Sequence, residues 1–237
     1  LAIFGEDSAP LVRNRIELAR VSLGRGDVQA ARDEFISAIN LAKRLDPPQS
    51  RGTIAALLGL ARLASTTDER ASLLTRAAQT SEGDARAVAE VALARAHFAA
   101  AEGQFTQAQE YLGAARAALQ GLDGSEFALA TTQYVEAVLQ LQWGKPNEAV
   151  ALASDAVDAF EGRGIREHPT LVNAILTLST GLAAQGSLRD ADAALQRAAA
   201  MASRAVPKGH PLLERTTIAS AASALRSANF RTTLDRL

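Results

Sequence analysis

The side chains able to do chemistry in this chain are three histidines and twenty-six carboxylates, with no cysteine beside them. Having no cysteine removes disulfides, thiolate metal sites and cysteine nucleophiles together. His168 and His210 each stand before a proline, so they read as the same helix-start motif used twice rather than as two ligands of one metal. His97 has no histidine or cysteine near it at metal-ligand spacing. Asp155 and Asp158 share a helix face, and Asp190 and Asp192 sit near a helix start, but no DDxxD or ExxH pattern joins them. Acids in a first helical turn favour the helix dipole, which accounts for Asp68, Glu69, Asp84 and Asp190. No GxSxG or GxxxxGK[ST] segment is present. The expectation is no catalytic residue, no metal and no cofactor.

Those residues hang on helices. Nearly half the chain is apolar, and no β-branched run alternates with polar residues. The net charge of −1 argues against direct nucleic-acid binding or an anionic membrane surface. No apolar run approaches the ~20 residues of a membrane span. Lysine occurs only at 43, 145 and 208, and the excess of arginine and alanine points to a GC-rich bacterial source. With the missing cysteine, that composition fits a cytoplasmic location.

The stretch from Glu167 to Pro211 shows the unit that repeats. Leu171, Ile175, Leu178 and Leu182 lie at helical spacing, as do Leu188, Ala191, Leu195 and Ala198, and the two segments meet at Gly186. Gly186 suits a left-handed helix end, and Ser187 with Asp190 has the form of a capping box. The turn glycine recurs as Gly26, Gly103 and Gly144, followed five residues on by Ala31, Ala108 and Ala149. Thr66 replaces it in one hairpin, where Thr66 with Glu69 offers another capping box. The steps between Ala31, Ala71, Ala108, Ala149 and Ala191 are 40, 37, 41 and 42 residues. Small residues also fall where each first helix crosses its neighbour: Ala19, Gly59, Ala96, Ala137 and Ser179.

The sequence thus predicts hairpins at about 11–46, 49–81, 84–120, 125–162 and 168–206, after a lead-in over 1–10 containing Leu1, Ile3 and Phe4. Pro47-Pro48 makes the strongest break, and Gly162–Arg166 is the least constrained connector. Ser8 and Ser125 are expected helix starts, and a partial unit over 211–237 turns at Asn229-Phe230.

This glycine–alanine pattern resembles the tetratricopeptide repeat. The period exceeds that repeat's usual ~34 residues, and with the two His-Pro starts it resembles the kinesin-light-chain subclass. The resemblance covers roughly residues 11–237 and implies an all-α, right-handed α-solenoid of about five and a half hairpins, forming one domain. The Asn of that subclass's LxNLA motif is replaced here by Leu176-Thr177, Tyr134-Val135 and Leu93-Ala94, and the Lys/Asn carboxylate clamp is also missing.

By the repeat's geometry, Arg13, Arg20, Leu93, His97, Tyr134, Val138, Leu176 and Thr180 should line a concave groove, with Ile16, Leu60 and Leu141 nearby. Leu60 and Leu141 read as core, while Trp143 reads as a packing residue or edge anchor. The resemblance implies a scaffold or regulatory module that binds a peptide or a partner domain, a domain of the same polypeptide included, within a larger signalling protein. Two alternatives stay open: a sensor of a small molecule or signalling peptide, and a self-associating spacer.

Overall fold

The structure is a computed structural model that describes residues 8–45 and 50–234, with side chains through 225. Leu1, Ile3 and Phe4 of the lead-in, Pro47-Pro48 and residues 235–237 lie outside the described residues. Eleven α-helices and no strand are found among the described residues: α1 Ala9–Gly24, α2 Val28–Arg44, α3 Ser50–Leu63, α4 Thr67–Ser81, α5 Ala85–Ala101, α6 Phe105–Leu119, α7 Glu126–Gln142, α8 Pro146–Glu161, α9 Pro169–Ala184, α10 Leu188–Ala205 and α11 Pro211–Leu234. They fall into two compact units, Leu1–Phe98 with Glu110–Leu119 and Ala99–Gln109 with Gln120–Leu237.

Glycine sets the turns, as the pattern requires. Gly26, Gly103, Gly144 and Gly186 all have φ between 76° and 85°. The following residue donates its N–H across the turn: Asp27 to Ser22 O at 2.9 Å, Gln104 to Ala99 O at 2.8 Å, Lys145 to Gln140 O at 2.8 Å and Ser187 to Leu182 O at 2.9 Å. These are Schellman closures, which satisfy helix-end carbonyls and need positive φ at the glycine. Where Thr66 replaces glycine, side chains do the same work. Thr66 Oγ1 accepts from Glu69 N at 3.1 Å, and Glu69 Oε2 accepts from Ser65 N at 2.9 Å. Arg32 then reaches over from α2 to donate to Leu63 O at 2.8 Å and to Glu69 Oε1 at 2.7 Å, closing the end of α3.

Four expectations need correction. Ser187 makes no side-chain cap bond, because its φ of −79° and ψ of 61° fall outside the extended region from which a capping hydroxyl reaches forward. Ser8 begins α1 as expected, whereas Ser125 begins α7 in αR geometry with no side-chain cap bond. The Gly162–Arg166 connector is pinned, with Gly164 N donating to Glu161 O at 2.8 Å and Ile165 N to Phe160 O at 3.1 Å. Helix α11 runs through Asn229-Phe230 to Leu234, since no glycine there supplies the left-handed residue that ends α1, α5, α7 and α9.

Within the first unit α1 packs on α2, α2 on α3 and α3 on α4, and α1 also touches α3. Phe35, 2% exposed, anchors this core among Ile54, Leu57 and Ala61. The second unit repeats the scheme: α7 on α8, α8 on α9, α9 on α10 and α10 on α11, with α7 touching α9. Phe160, Leu171, Val172 and Ile175 are fully enclosed there. In both units a glycine lets the second helix of one hairpin approach the first helix of the next. A Cβ on Gly59 would stand 2.4 Å from the Phe35 ring, and one on Gly181 would stand 2.7 Å from Val150 Cγ2.

Candidate binding groove

In the first unit the predicted residues lie on α1 and α5. Arg13, Arg20 and His97 are exposed, Leu93 is half-buried, and Ile16 and Leu60 belong to the core. Arg20 donates to Glu17 Oε1 at 2.8 Å one turn back on its own helix. His97 stands edge-on to Phe98, with ring centroids 6.0 Å apart.

Sequence reasoning missed the charges around these residues. Arg51 grips Asp84 with two bonds of 2.7 and 3.1 Å, and Asp84 also caps α5 by accepting from Arg86 N and Ala87 N. The Arg51 bonds hold the Asp84 carboxyl below the usual range. Glu90 moves the other way: loss of solvation raises its pKa, opposed by the positive field of Arg20, Arg51 and Arg62. The Glu90 side chain is exposed by area yet sits among protein atoms deeply enough for desolvation to dominate. This face is a network of compensated charge.

In the second unit the predicted residues lie on α7 and α9. Tyr134 and Val138 are half-buried, Leu176 is 7% exposed, and Thr180 is exposed. The Thr180 hydroxyl donates to Leu176 O at 2.9 Å, so it presents its methyl group and a lone-pair edge. Leu176 and Thr180 border a recess of about 420 Å³ with Ser179, Ala183, Ala184 and Leu195, closed on the far side by Ala219 and Ala222 of α11. The small residues leave the space open; at ~300–1,000 Å³ a recess is of ligand-holding size. Ser179 is spoken for, donating to Ala191 O at 2.7 Å across its own hairpin.

Two residues absent from the sequence reading complete this face. Arg215 on α11 donates from Nη1 to Asn173 Oδ1 on α9 at 2.9 Å. Burial raises the Tyr134 pKa while the Arg215 charge pulls it down, which brings Tyr134 of α7 into the same field. The signal was in the repeat: Asn173 and Arg215 are separated by the same 42 residues as Ala149 and Ala191.

Elsewhere, Trp143 stacks on Phe105 at 5.7 Å with Lys145 Nζ 3.4 Å from its ring centroid, which makes it a packing residue at the turn. His168 and His210 are helix caps, each accepting at Nδ1 from the backbone N–H two residues on at 3.1 Å. Among the described residues no group of three or more His, Cys, Asp or Glu is placed to hold a metal, and no helix is long and apolar enough to cross a membrane.

No protein-family profile and no curated protein sequence matches the chain. Solved structures do. It is similar to BtubC (BKLC) from P. vanneervenii, with a TM-score of 0.64 and 22% identity over 85% of this chain and 82% of that one. It is also similar to a putative kinesin light chain with nearly identical TPR-like repeats from Podosopora anserina, with a TM-score of 0.52 and 23% identity over 81% of this chain and 95% of that one. A second structure of that protein gives a TM-score of 0.54 at the same identity and coverage. At such identities the likeness establishes architecture: this is an all-α fold of the tetratricopeptide-like solenoid class.

Proposed function

We propose that the chain is a protein-interaction module whose second unit holds a segment of a partner protein along α7, α9 and α11. The observation that carries this reading is the recess beside Leu176 and Thr180, lined by small and apolar side chains, with the Asn173–Arg215 bond one turn before it on α9 and α11. Such a surface binds by shape and apolar contact without rearranging, so little ordering cost opposes association. Tyr134, Val138, Leu176 and Thr180 form the contact set, and Arg13, Arg20, Leu93 and His97 offer a second surface on the first unit. The fold class commonly serves as an interaction scaffold. The cysteine-free, arginine- and alanine-rich composition supports a role in the bacterial cytoplasm, as a scaffolding or regulatory element of a larger signalling protein.

The test is selection of random dodecapeptides displayed on phage against the full chain. Thr180→Trp, which fills the recess, and Val138→Asp should each weaken the selected peptides roughly tenfold or more, the scale of a hot-spot loss. Val28→Asp, on the exposed side of α2, should not. Peptides indifferent to Thr180→Trp and Val138→Asp would overturn the reading.

A further inference from the structure

Resting on that reading, we infer that the Asn173–Arg215 pair receives a side-chain carboxylate of an extended peptide whose next apolar residues lie in the adjoining recess. Arg215 is held in a way that leaves its charge available. A guanidinium carries five donors in a planar fork. Asn173 Oδ1 takes one of them, on Nη1, at 2.9 Å. The partner is an amide, so the bond fixes the guanidinium without cancelling its charge. Arg215 is exposed, which leaves its remaining donors accessible to a ligand.

Neighbouring groups add donors. The Asn173 amide has its Nδ2 hydrogens left once Oδ1 is taken. Two helices, α9 and α11, thus bring hydrogen-bond donors and one positive charge to a single place. An anion is what such a set accepts.

The course of the helices selects the side chains that come after the carboxylate. Asn173, Leu176, Thr180 and Ala183 succeed one another along one face of α9, while Arg215, Ala219 and Ala222 do so on α11. The polar pair therefore stands at one end and the recess runs away from it. From 173 to 183 a helix advances ~15 Å, which an extended chain covers in about four to five residues. The side chains entering there must be apolar, because Leu176, Leu195 and alanines line the recess.

A purely structural role for the pair, as a strut between α9 and α11, makes a different forecast, and a positional-scanning library of fluorescein-labelled octapeptides separates the two. Anisotropy against the full chain should show preference for Asp or Glu at one position, with apolar over polar residues favoured in the next few, and weakening in high salt. Arg215→Gln should lower the affinity of acid-bearing peptides roughly tenfold or more, as expected for a charge-assisted hydrogen bond, and leave neutral peptides unchanged. Arg215→Lys should retain part of the preference. Asn173→Ala should cost less than Arg215→Gln, since the charge remains and only its aim is lost. Arg166→Gln, an exposed site outside the recess, should change nothing. Peptides that bind without acid preference, or with the same preference in Arg215→Gln, would refute the carboxylate site while leaving the groove reading intact. A library that binds nowhere would refute both. Thermal melts of each variant guard against unfolding, and loss of neutral-peptide binding in Arg215→Gln would mark the pair as a strut.

Discussion

The two units solve the same packing problem, but the faces predicted to line a groove pair their arginines differently. On the first unit Arg20 meets Glu17 and Arg51 meets Asp84, with Glu90 in the same field. On the second, Arg215 meets the neutral amide of Asn173. A carboxylate partner fixes a guanidinium and neutralises it, whereas an amide partner fixes it and leaves the charge for another molecule. The same contrast appears in the space beside these groups. The α9 and α11 faces leave a recess walled by alanines, and the corresponding glycine crossing in the first unit is filled by a phenylalanine ring.

Paired substitutions in the two units probe both the likeness and the contrast. The largest effects belong to the cores. Phe35→Ala and Phe160→Ala should each cost about 3–5 kcal/mol in denaturant unfolding, and hydrogen exchange should quicken in the mutated unit first. If the two costs differed by more than twofold, the idea of equivalent cores would fail. Next come the crossing glycines. Gly59→Ala drives a methyl against three atoms of the Phe35 ring and should cost about 1–3 kcal/mol. Gly181→Ala meets a single valine methyl closely and should cost less. Gly113→Ala on the exposed side of α6, with nothing within 4 Å of the added Cβ, should instead stabilise by about 0.5–1 kcal/mol.

Loss of a cap is smaller. His168→Ala should cost about 1 kcal/mol, and His168→Asn, whose short side chain can accept the same Thr170 N–H, should recover most of it.

The smallest effect is electrostatic. Asp84 has a depressed folded pKa, chiefly from the Arg51 bond, so its contribution is present above the unfolded carboxylate pKa and disappears as pH falls through the lower folded value. Glu90 has the opposite sign. Its folded pKa is raised by desolvation, so stability is lost as pH rises from the unfolded value to the folded one. Glu90→Gln should therefore raise the Tm slightly at neutral pH, with the gain vanishing on acidification below the ordinary carboxylate range. A gain that grew in acid would reverse this assignment.

What the sequence revealed and what it hid divide along a physical line. The turn glycines, the alanine crossings and the Thr66 capping box were legible because each depends on residues within a few positions of one another. Ser187 and Ser125 looked like caps by type, but the turn backbone leaves neither hydroxyl in a capping position. Gly181 escaped notice because repeat alignment put Ser179 at the crossing, whereas the close approach to Val150 falls two residues later. The Arg32 substitute for a missing turn glycine and the Asn173–Arg215 pair escaped for a deeper reason. Arg32 meets Glu69, 37 residues on, and Arg215 meets Asn173, 42 residues back, and local pattern cannot say which long side chains will reach across. Four of the predicted groove residues share one face of the second unit. What the proposed site adds, the alanine-walled recess and the amide-paired arginine, depends on α9 and α11 together.

Whether the second unit is the binding unit stands or falls on hydrogen–deuterium exchange of the full chain with and without a peptide selected against it. Slowed exchange should appear in α9 and α11, around 173–184 and 215–222, with α1 and α3 unaffected. Protection confined to α1, α3 and α5, with α9 and α11 unchanged, would contradict it and would move the binding surface to the charge-compensated face of the first unit.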